Sequence, residues 1–423
     1  MGIISMKKTV FLVSLFLFSI NSIFAQARAG AKLDLMTGWI HTENEFDMNG
    51  QKIHFPLKKD NWITSADVRI KIDTDSKSIV KAYVDTDLAL TTVPESDFSE
   101  PGILGTYSLN KAYLKVRLPW FFQQESRLTA GKMPLNWGFG MYYNAGDLVF
   151  GADPNNSPAR NDTVLNFTTV ESKEEYKSII DKNTILSLLS GSNGSSSGTT
   201  AFNSSSLSDF RTSTDWMATY YMPFGTHSAV EAVSLFPFDT KLNSKYGRIG
   251  TRALFFSDFS AIQQLETGYI STTDFSTQKA YIAFDGYAWL DYNLCSSISW
   301  DSEKGFLEKE FSISFSMTKI FNIQTDIANH SLQLKTESLI TPFDNRFQIF
   351  GFISYEITDT TSLAATYLYY GANKAKIEDN KHTAALSFSW EPTARLEFSI
   401  QALLNCSEPK NLAAVLTSFS YRY

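Results

Sequence analysis

The sequence predicts an all-β fold, a single transmembrane antiparallel up-and-down β-barrel of about 18 strands, between about 16 and 20 once boundary errors are allowed for. Three observations carry that expectation. Apolar and polar residues alternate with period two almost to the last residue, the links between alternating segments are short and long in turn, and the chain ends inside an alternating segment, on an aromatic.

Trp62 to Asp73 shows the alternation. Trp62, Thr64, Ala66, Val68, Ile70 and Ile72 fall on one face, and Ser65, Asp67, Arg69, Lys71 and Asp73 on the other. Ser78 to Leu88 sets Val80, Ala82, Val84 and Leu88 against Lys81, Tyr83, Asp85 and Asp87. Leu109 to Leu118 sets Ala112, Leu114, Val116 and Leu118 against Lys111, Tyr113, Lys115 and Arg117. Successive side chains of a strand point to opposite faces, so each segment has one dry and one wet side. A soluble sandwich produces the same rows, and the decision falls to the links and the chain ends.

Strands are expected near 31-42, 62-73, 78-90, 109-118, 125-133, 212-222, 227-236, 247-256 and 260-271, then near 278-291, 294-301, 309-317, 321-336, 346-357, 361-371, 382-390, 395-404 and 412-423. Short links fall at Thr74-Lys77, Pro119-Gln124, Pro223-Thr226, Ser257-Phe259, Tyr292-Asn293, Thr318-Ile320, Thr358-Thr360 and Glu391-Ala394. Long ones lie between them at 43-61, 91-108, 134-211, 237-246, 272-277, 302-308, 337-345, 372-381 and 405-411. Outer-membrane barrels have this asymmetry, with tight periplasmic turns and longer external loops. It makes the strand number even and places both termini in the periplasm. Trp62, Trp120, Trp300, Trp390, Tyr142-Tyr143, Phe236 and Phe238 stand near strand ends, where interfacial girdles want rings with a polar tip; large aromatics also flank turns in any β protein.

The N-terminus has the three parts of a secretory signal. Met6-Lys7-Lys8 is basic, Thr9 to Ile20 is largely apolar, and Asn21-Ser22 leads to small residues at Ala25 and Ala27. Cleavage after Ala25 or Ala27 fits, giving a signal over 1-25 and a barrel over 28-423; Met6 is a candidate for the real start, since Met1 to Ser5 adds nothing to the signal. The apolar core is too short to span a bilayer, and no later run reaches helical spanning length, so insertion must use strands.

Composition agrees. Aromatics make up 14% and charged residues 19%, while a mean hydropathy of −0.15 is too polar for a helical membrane protein. The formal charge of −7 becomes more negative by two when Lys7 and Lys8 leave, which disfavours nucleic acid as a partner. Cys295 and Cys406 are the only cysteines; one bridge or two unpaired thiols both fit.

Leu412 to Tyr423 places Val415, Phe419 and Tyr421 on one face and ends on Tyr423. This resembles the terminal strand of bacterial porins and their relatives, which the barrel assembly machinery recognises, and the resemblance makes Phe419, Tyr421 and Tyr423 the candidate assembly signal. A second resemblance lies in Leu128 to Phe150. Gly131, Lys132, Trp137, Gly138, Gly140, Asn144 and Asp147 match a loose Gly-Arg/Lys-x-x-x-x-Trp-Gly-x-Gly pattern of porin-like barrels. It covers about twenty residues and implies no particular solute. Gly138 and Gly140 allow the backbone to bend where a strand leaves the sheet, so Trp137, Gly138 and Gly140 form a candidate strand-exit motif.

The connection 134-211 is unusually long. Within it Glu171 to Asp181 reads as a short helix and Ser190 to Thr200 as a low-complexity tract. An eighteen-stranded barrel is wide enough for an aqueous channel unless something fills it. The long loop is the candidate constriction or plug, with an external surface loop as the alternative. Candidate pore-lining residues are Asp67, Arg69, Lys71, Lys81, Asp85, Asp87, Lys111, Lys115, Arg117 and Lys132, charges of both signs on the wet rows.

Chemistry-bearing motifs are sparse. His41, His54, His227, His330 and His382 have no metal-ligand spacing, and the Gly-x-Ser-x-Gly match at Gly194 to Gly198 sits in a Ser/Gly tract with no strand before it. No enzyme, cofactor or metal is expected. The sequence points to an outer-membrane, porin-like channel for diffusion of small polar solutes. The alternatives are a gated transporter of hydrophobic ligands and a surface adhesin or structural barrel. The implied partners are outer-membrane lipid, the barrel assembly machinery and small solutes, with a homo-oligomer left open.

Overall fold

The computed structural model describes residues 27–42, 45–48, 51–54, 59–74, 79–121, 124–153, 163–178, 214–236, 247–324, 329–371, 381–407 and 413–423. The signal segment, the Ser190 to Thr200 tract and the Gly194 to Gly198 match lie outside them. The first barrel strands are β1 (Ala27–Thr42), β2 (Lys59–Thr74), β3 (Val80–Val93), β4 (Gly102–Phe121), β5 (Gln124–Met133) and β6 (Asp215–Phe224). Then come β7 (Ser228–Leu235), β8 (Arg248–Phe256), β9 (Gln264–Thr272), β10 (Thr277–Tyr287), β11 (Asp291–Asp301) and β12 (Ser312–Gln324). The ring continues through β13 (Asn329–Thr341), β14 (Arg346–Thr358), β15 (Thr361–Gly371), β16 (Lys381–Thr393), β17 (Leu396–Asn405) and β18 (Ala413–Arg422).

Each strand pairs antiparallel with the next, and β18 returns to β1, from Lys32 opposite Arg422 to His41 opposite Ala413. The barrel is therefore closed with eighteen strands, and closure removes every sheet edge. Two-residue strands at Thr163–Val164 and Gly305–Phe306 extend this sheet, and a small hairpin pairs Glu45–Met48 with Gln51–His54 in the first link.

The period-two pattern decides which face is which. Ile70, Ile282, Leu386 and Ile400 remain 43–54% exposed on the outer face, in rows that continue around the ring. Their neighbours in sequence point inward, where Asp85, Glu266 and Glu337 are buried. Polar inside and apolar outside inverts the arrangement of a soluble sandwich. Trp62 and Trp300 stand on the outer face near the long-link end, and Trp390 near the other end. Phe236 follows the last residue of β7; Phe238 is outside the described residues. Tyr142 and Tyr143 depart from the girdle expectation, because both are buried inside the barrel.

Link lengths alternate, with three departures. The link 257–263 is longer than the others on its side, while 273–276 and 342–345 are short on the long-link side. The links expected at Tyr292-Asn293 and Thr318-Ile320 lie elsewhere. β11 already begins at Asp291, and β12 runs on to Gln324. Lys319 breaks the apolar row and so reads as a turn, yet its amine folds back onto the Trp289 carbonyl and the strand continues through Phe321 and Ile323. Of the short helix expected over Glu171 to Asp181, the described part forms one 3-10 turn at Glu174–Tyr176.

Candidate functional site

After Met133 the chain turns into the lumen. Trp137 and Tyr142 are each 1% exposed, and Tyr143, Ala145 and Val149 are buried too, although no strand runs through them. Two apolar clusters hold the segment 134–153. In one, Leu135, Trp137 and Phe150 pack on Val233 of β7, Ile270 of β9, Tyr281 of β10 and Cys295 of β11. In the other, Tyr142 and Tyr143 pack among Leu339, Phe350, Leu368, Ala385, Leu403 and Ala414, from β13 round to β18. Tyr142 lies flat on Phe350, centroids 4.6 Å apart. The segment thus bridges two walls of the barrel. The long connection is an inward constriction over these residues rather than a purely external loop.

Backbone amides drawn into a lumen need partners, since an unpaired buried donor costs about 1–3 kcal/mol. Two wall glutamates, Glu266 and Glu337, supply them, and a third, Glu231, takes the segment's indole. Glu231 of β7 accepts from the Trp137 indole at 3.0 Å, and Glu266 of β9 accepts from the Gly138 amide at 2.9 Å. Glu337 of β13 accepts from the successive amides of Met141, Tyr142 and Tyr143 at 2.9, 2.7 and 2.8 Å. Each carboxylate is held in turn. Arg252 of β8 bonds Glu231 at 2.7 Å and Glu266 at 2.9 Å, and also reaches the Asn136 carbonyl at 2.9 Å. Tyr281 donates to Glu266, and Lys335 sits 3.0 Å from Glu337. Ser314 accepts from the Ala145 amide, and Gln348 donates to Asp153, each at 2.9 Å.

The strand-exit motif has its physical reason here. Gly138 has φ +72° and Gly140 φ +126°, backbone geometry that other residues adopt only with strain. A Cβ on Gly138 would also meet the Gly146 Cα at 2.6 Å. Both glycines lie beyond β5, inside the lumen, so the motif shapes the constriction itself. Asn144 closes it by donating to the Trp137 carbonyl.

The charged wall lies on the remaining strands. Asp67, Arg69 and Lys71 of β2, Lys81, Asp85 and Asp87 of β3, and Lys111, Lys115 and Arg117 of β4 alternate with the exposed apolar row and so share the inner face. Lys132 does not join them. The register sets it opposite Ala112, on the row of Leu128 and Ala130, and its amine donates to the Leu109 carbonyl at 2.6 Å. Gly131 and Met133, its sequence neighbours, take the inner positions. Asp85 is clasped by Arg69 through two bonds of 2.8 and 2.7 Å, which makes the acidic pair with Asp87 part of an ion-paired wall. Lys81 stands directly opposite Lys115, and Arg117 directly opposite Arg127. Like charges facing across a ladder destabilise it, and Asp73, 3.8 Å from Lys81, and Glu125, 3.8 Å from Arg117, offset part of that repulsion.

The anchoring residues Glu231, Arg252, Glu266 and Glu337 have no local signal in sequence. Each is one polar residue among others on a wet row, and its partners lie up to 196 positions away. Cys295 is buried, Cys406 is exposed, and both are free. Among the described residues no cluster of three His, Cys, Asp or Glu side chains could hold a metal.

No family profile matches the sequence, and no curated protein matches it. Solved structures do resemble it. The outer membrane protein opdK from Pseudomonas aeruginosa shares 12% identity over 94% of this chain and 99% of its own, with a TM-score of 0.43. OprD from Pseudomonas aeruginosa shares 9% over 93% and 95%, with a TM-score of 0.45. A BenF-like porin from Pseudomonas fluorescens Pf-5 shares 7% over 94% and 99%, with a TM-score of 0.46.

Proposed function

We propose that this chain is an outer-membrane, porin-like channel through which small polar solutes diffuse. The observation that carries the reading is the asymmetry of the lumen. One set of walls is covered by the segment 134–153, whereas Lys71 and Arg127 on the β2–β5 wall remain exposed and Arg69, Lys81, Lys115 and Arg117 half-exposed. A fixed constriction beside a wetted, charged wall is how a barrel narrows a pore without closing it. The continuous apolar outer face supplies the lipid-exposed band such a barrel needs.

Further assignments follow from the same reading. The short-link end, which carries both ends of the barrel, faces the periplasm. Cleavage after Ala25 leaves β1 whole, because Ala27 already pairs with Thr74. The β18 row of Val415, Phe419 and Tyr421 is presented to lipid and to the assembly machinery. The facing pairs Lys81–Lys115 and Arg117–Arg127 favour anionic over cationic solutes, since an anion between them relieves their repulsion. Conductance of the purified mature protein in planar bilayers tests the reading, with discrete steps and anion preference in a salt gradient as the expected result. A second reading, a gated transporter, draws on the number of bonds that fix the segment. It is distinguished by a wild-type barrel that is silent and a segment-deleted one that conducts.

A further inference from the structure

A broad apolar groove lies outside the lumen. It measures about 870 Å3 and crosses the outer face of β12 to β17. The register explains it. Gly351 of β14, Ala365 of β15, Ala384 of β16 and Ala402 of β17 alternate between two neighbouring rows, so a zigzag of small residues runs between the larger Ile353, Tyr367, Leu386 and Leu404 of the same rows. Leu334, Ile353, Tyr367, Leu386 and Leu404 rise beside it.

One end of the groove is charged. Lys319 lies opposite Leu334, on the lipid-facing row of β12, level with the turn 288–290. Its amine is 5.1 Å from the Trp289 ring centroid and 6.0 Å from those of Tyr287 and Phe321, and it donates to the Trp289 carbonyl. No carboxylate pairs with it among the described residues. A cation on a lipid-facing row is unfavourable at depth and tolerated at the interface. The half-exposed amine, with indole and phenol beside it, marks the headgroup level at the short-link end.

We propose that this groove is a binding site for one glycerophospholipid of the leaflet at the short-link end, with its phosphate on Lys319 and an acyl chain lying along Gly351, Ala365 and Ala384. Charge complementarity selects that occupant over a second copy of the chain, whose outer face would have to bring an anion to the same spot. The small residues leave the width of a chain, and their apolar surface excludes a polar ligand. The inference needs the outer face to meet lipid but does not need the barrel to conduct, so its failure leaves the channel reading intact.

Native mass spectrometry of detergent-purified mature protein, titrated with phosphatidylglycerol, tests it; diacylglycerol is the probe lacking phosphate. Wild type is expected to retain one phosphatidylglycerol per chain and to bind diacylglycerol at least fivefold less. Lys319→Gln should lower phosphatidylglycerol occupancy at least fivefold, and Ala384→Phe, which fills the groove, should do the same. Heat-modifiable electrophoretic mobility checks that each variant is folded, and Lys319→Gln alone suffices if the larger substitution is not. Equal occupancy in wild type and Lys319→Gln would overturn the site. So would a dimer without retained lipid that Ala384→Phe dissociates, because the groove would then belong to a second copy.

Discussion

Glu337 holds three successive amides of the inward segment and one ammonium, all in a covered part of the lumen. Glu337→Ala leaves those donors and Lys335 without their acceptor. The expected cost is about 3–5 kcal/mol, the range for removing one member of a buried charged pair. Chemical unfolding of the reconstituted barrel should show it, together with noisier and larger conductance steps; an unchanged midpoint would mean the anchor is idle. Gly138→Ala should also loosen the segment, by at least the roughly 1–2 kcal/mol that a left-handed backbone costs a residue with a Cβ. The matching control is Gly225, where φ is +65° but a Cβ meets nothing within 4 Å; Gly225→Ala should cost less in the same unfolding assay. Sequence made Trp137, Gly138 and Gly140 visible because they match the loose Gly-Arg/Lys-x-x-x-x-Trp-Gly-x-Gly pattern and glycine lets a backbone bend where a strand ends. It could not reveal Glu231, Glu266 or Glu337, since what distinguishes them is a partner more than ninety residues away. Lys132 misled for a related reason: charge alone placed it on the wet row, whereas the pleat counts it with Leu128 and Ala130.

Strands were the most legible elements. Each of the eighteen expected strands overlaps an observed one and 361–371 agrees at both ends, while the expected 309-317 and 321-336 split β12 and β13 at the wrong place. The misplaced turns lie where local composition imitates a break, as at Lys319, or where a tight turn lacks Gly, Pro or Asn, as at 288–290. The segment 134–153 was legible only as a long connection. Its apolar residues follow no period, because they pack against a curved wall from several directions rather than in a regular element. At this scale β18 has a specific role. It pairs with both β17 and β1, so it closes the ring. Removing Phe419 to Tyr423 deletes four of the ten register pairs between β18 and β1, and the aromatic end. Such a chain is expected to accumulate unfolded in the periplasm and to be degraded, and normal levels of heat-modifiable barrel in outer-membrane fractions would contradict the role given to β18.

The whole molecule is a closed ring whose interior is divided. Ring closure followed from evenly alternating strands and links. The division did not, because it depends on which wall the inward segment covers and which it leaves wet. Arg117 and Arg127 face each other on the wet wall, and Lys81 faces Lys115 beside them. Replacing Arg117 and Arg127 together with Glu should move the reversal potential toward cation preference in a salt gradient. An unchanged reversal potential would place the ion path elsewhere. Each arginine is partly exposed; Arg127 lies over the Tyr221 ring, one strand from Glu231, so heat-modifiable mobility should first confirm that the folded barrel is retained.

The most direct test of the constriction compares single-channel conductance of the mature barrel with that of a variant in which residues 135–150 are replaced by a short Gly/Ser linker. A lumen narrowed by that segment and open along β2–β5 gives discrete steps in the first protein and clearly larger steps in the second. Steps of the same size in both would contradict it, as would two barrels that are folded and equally silent.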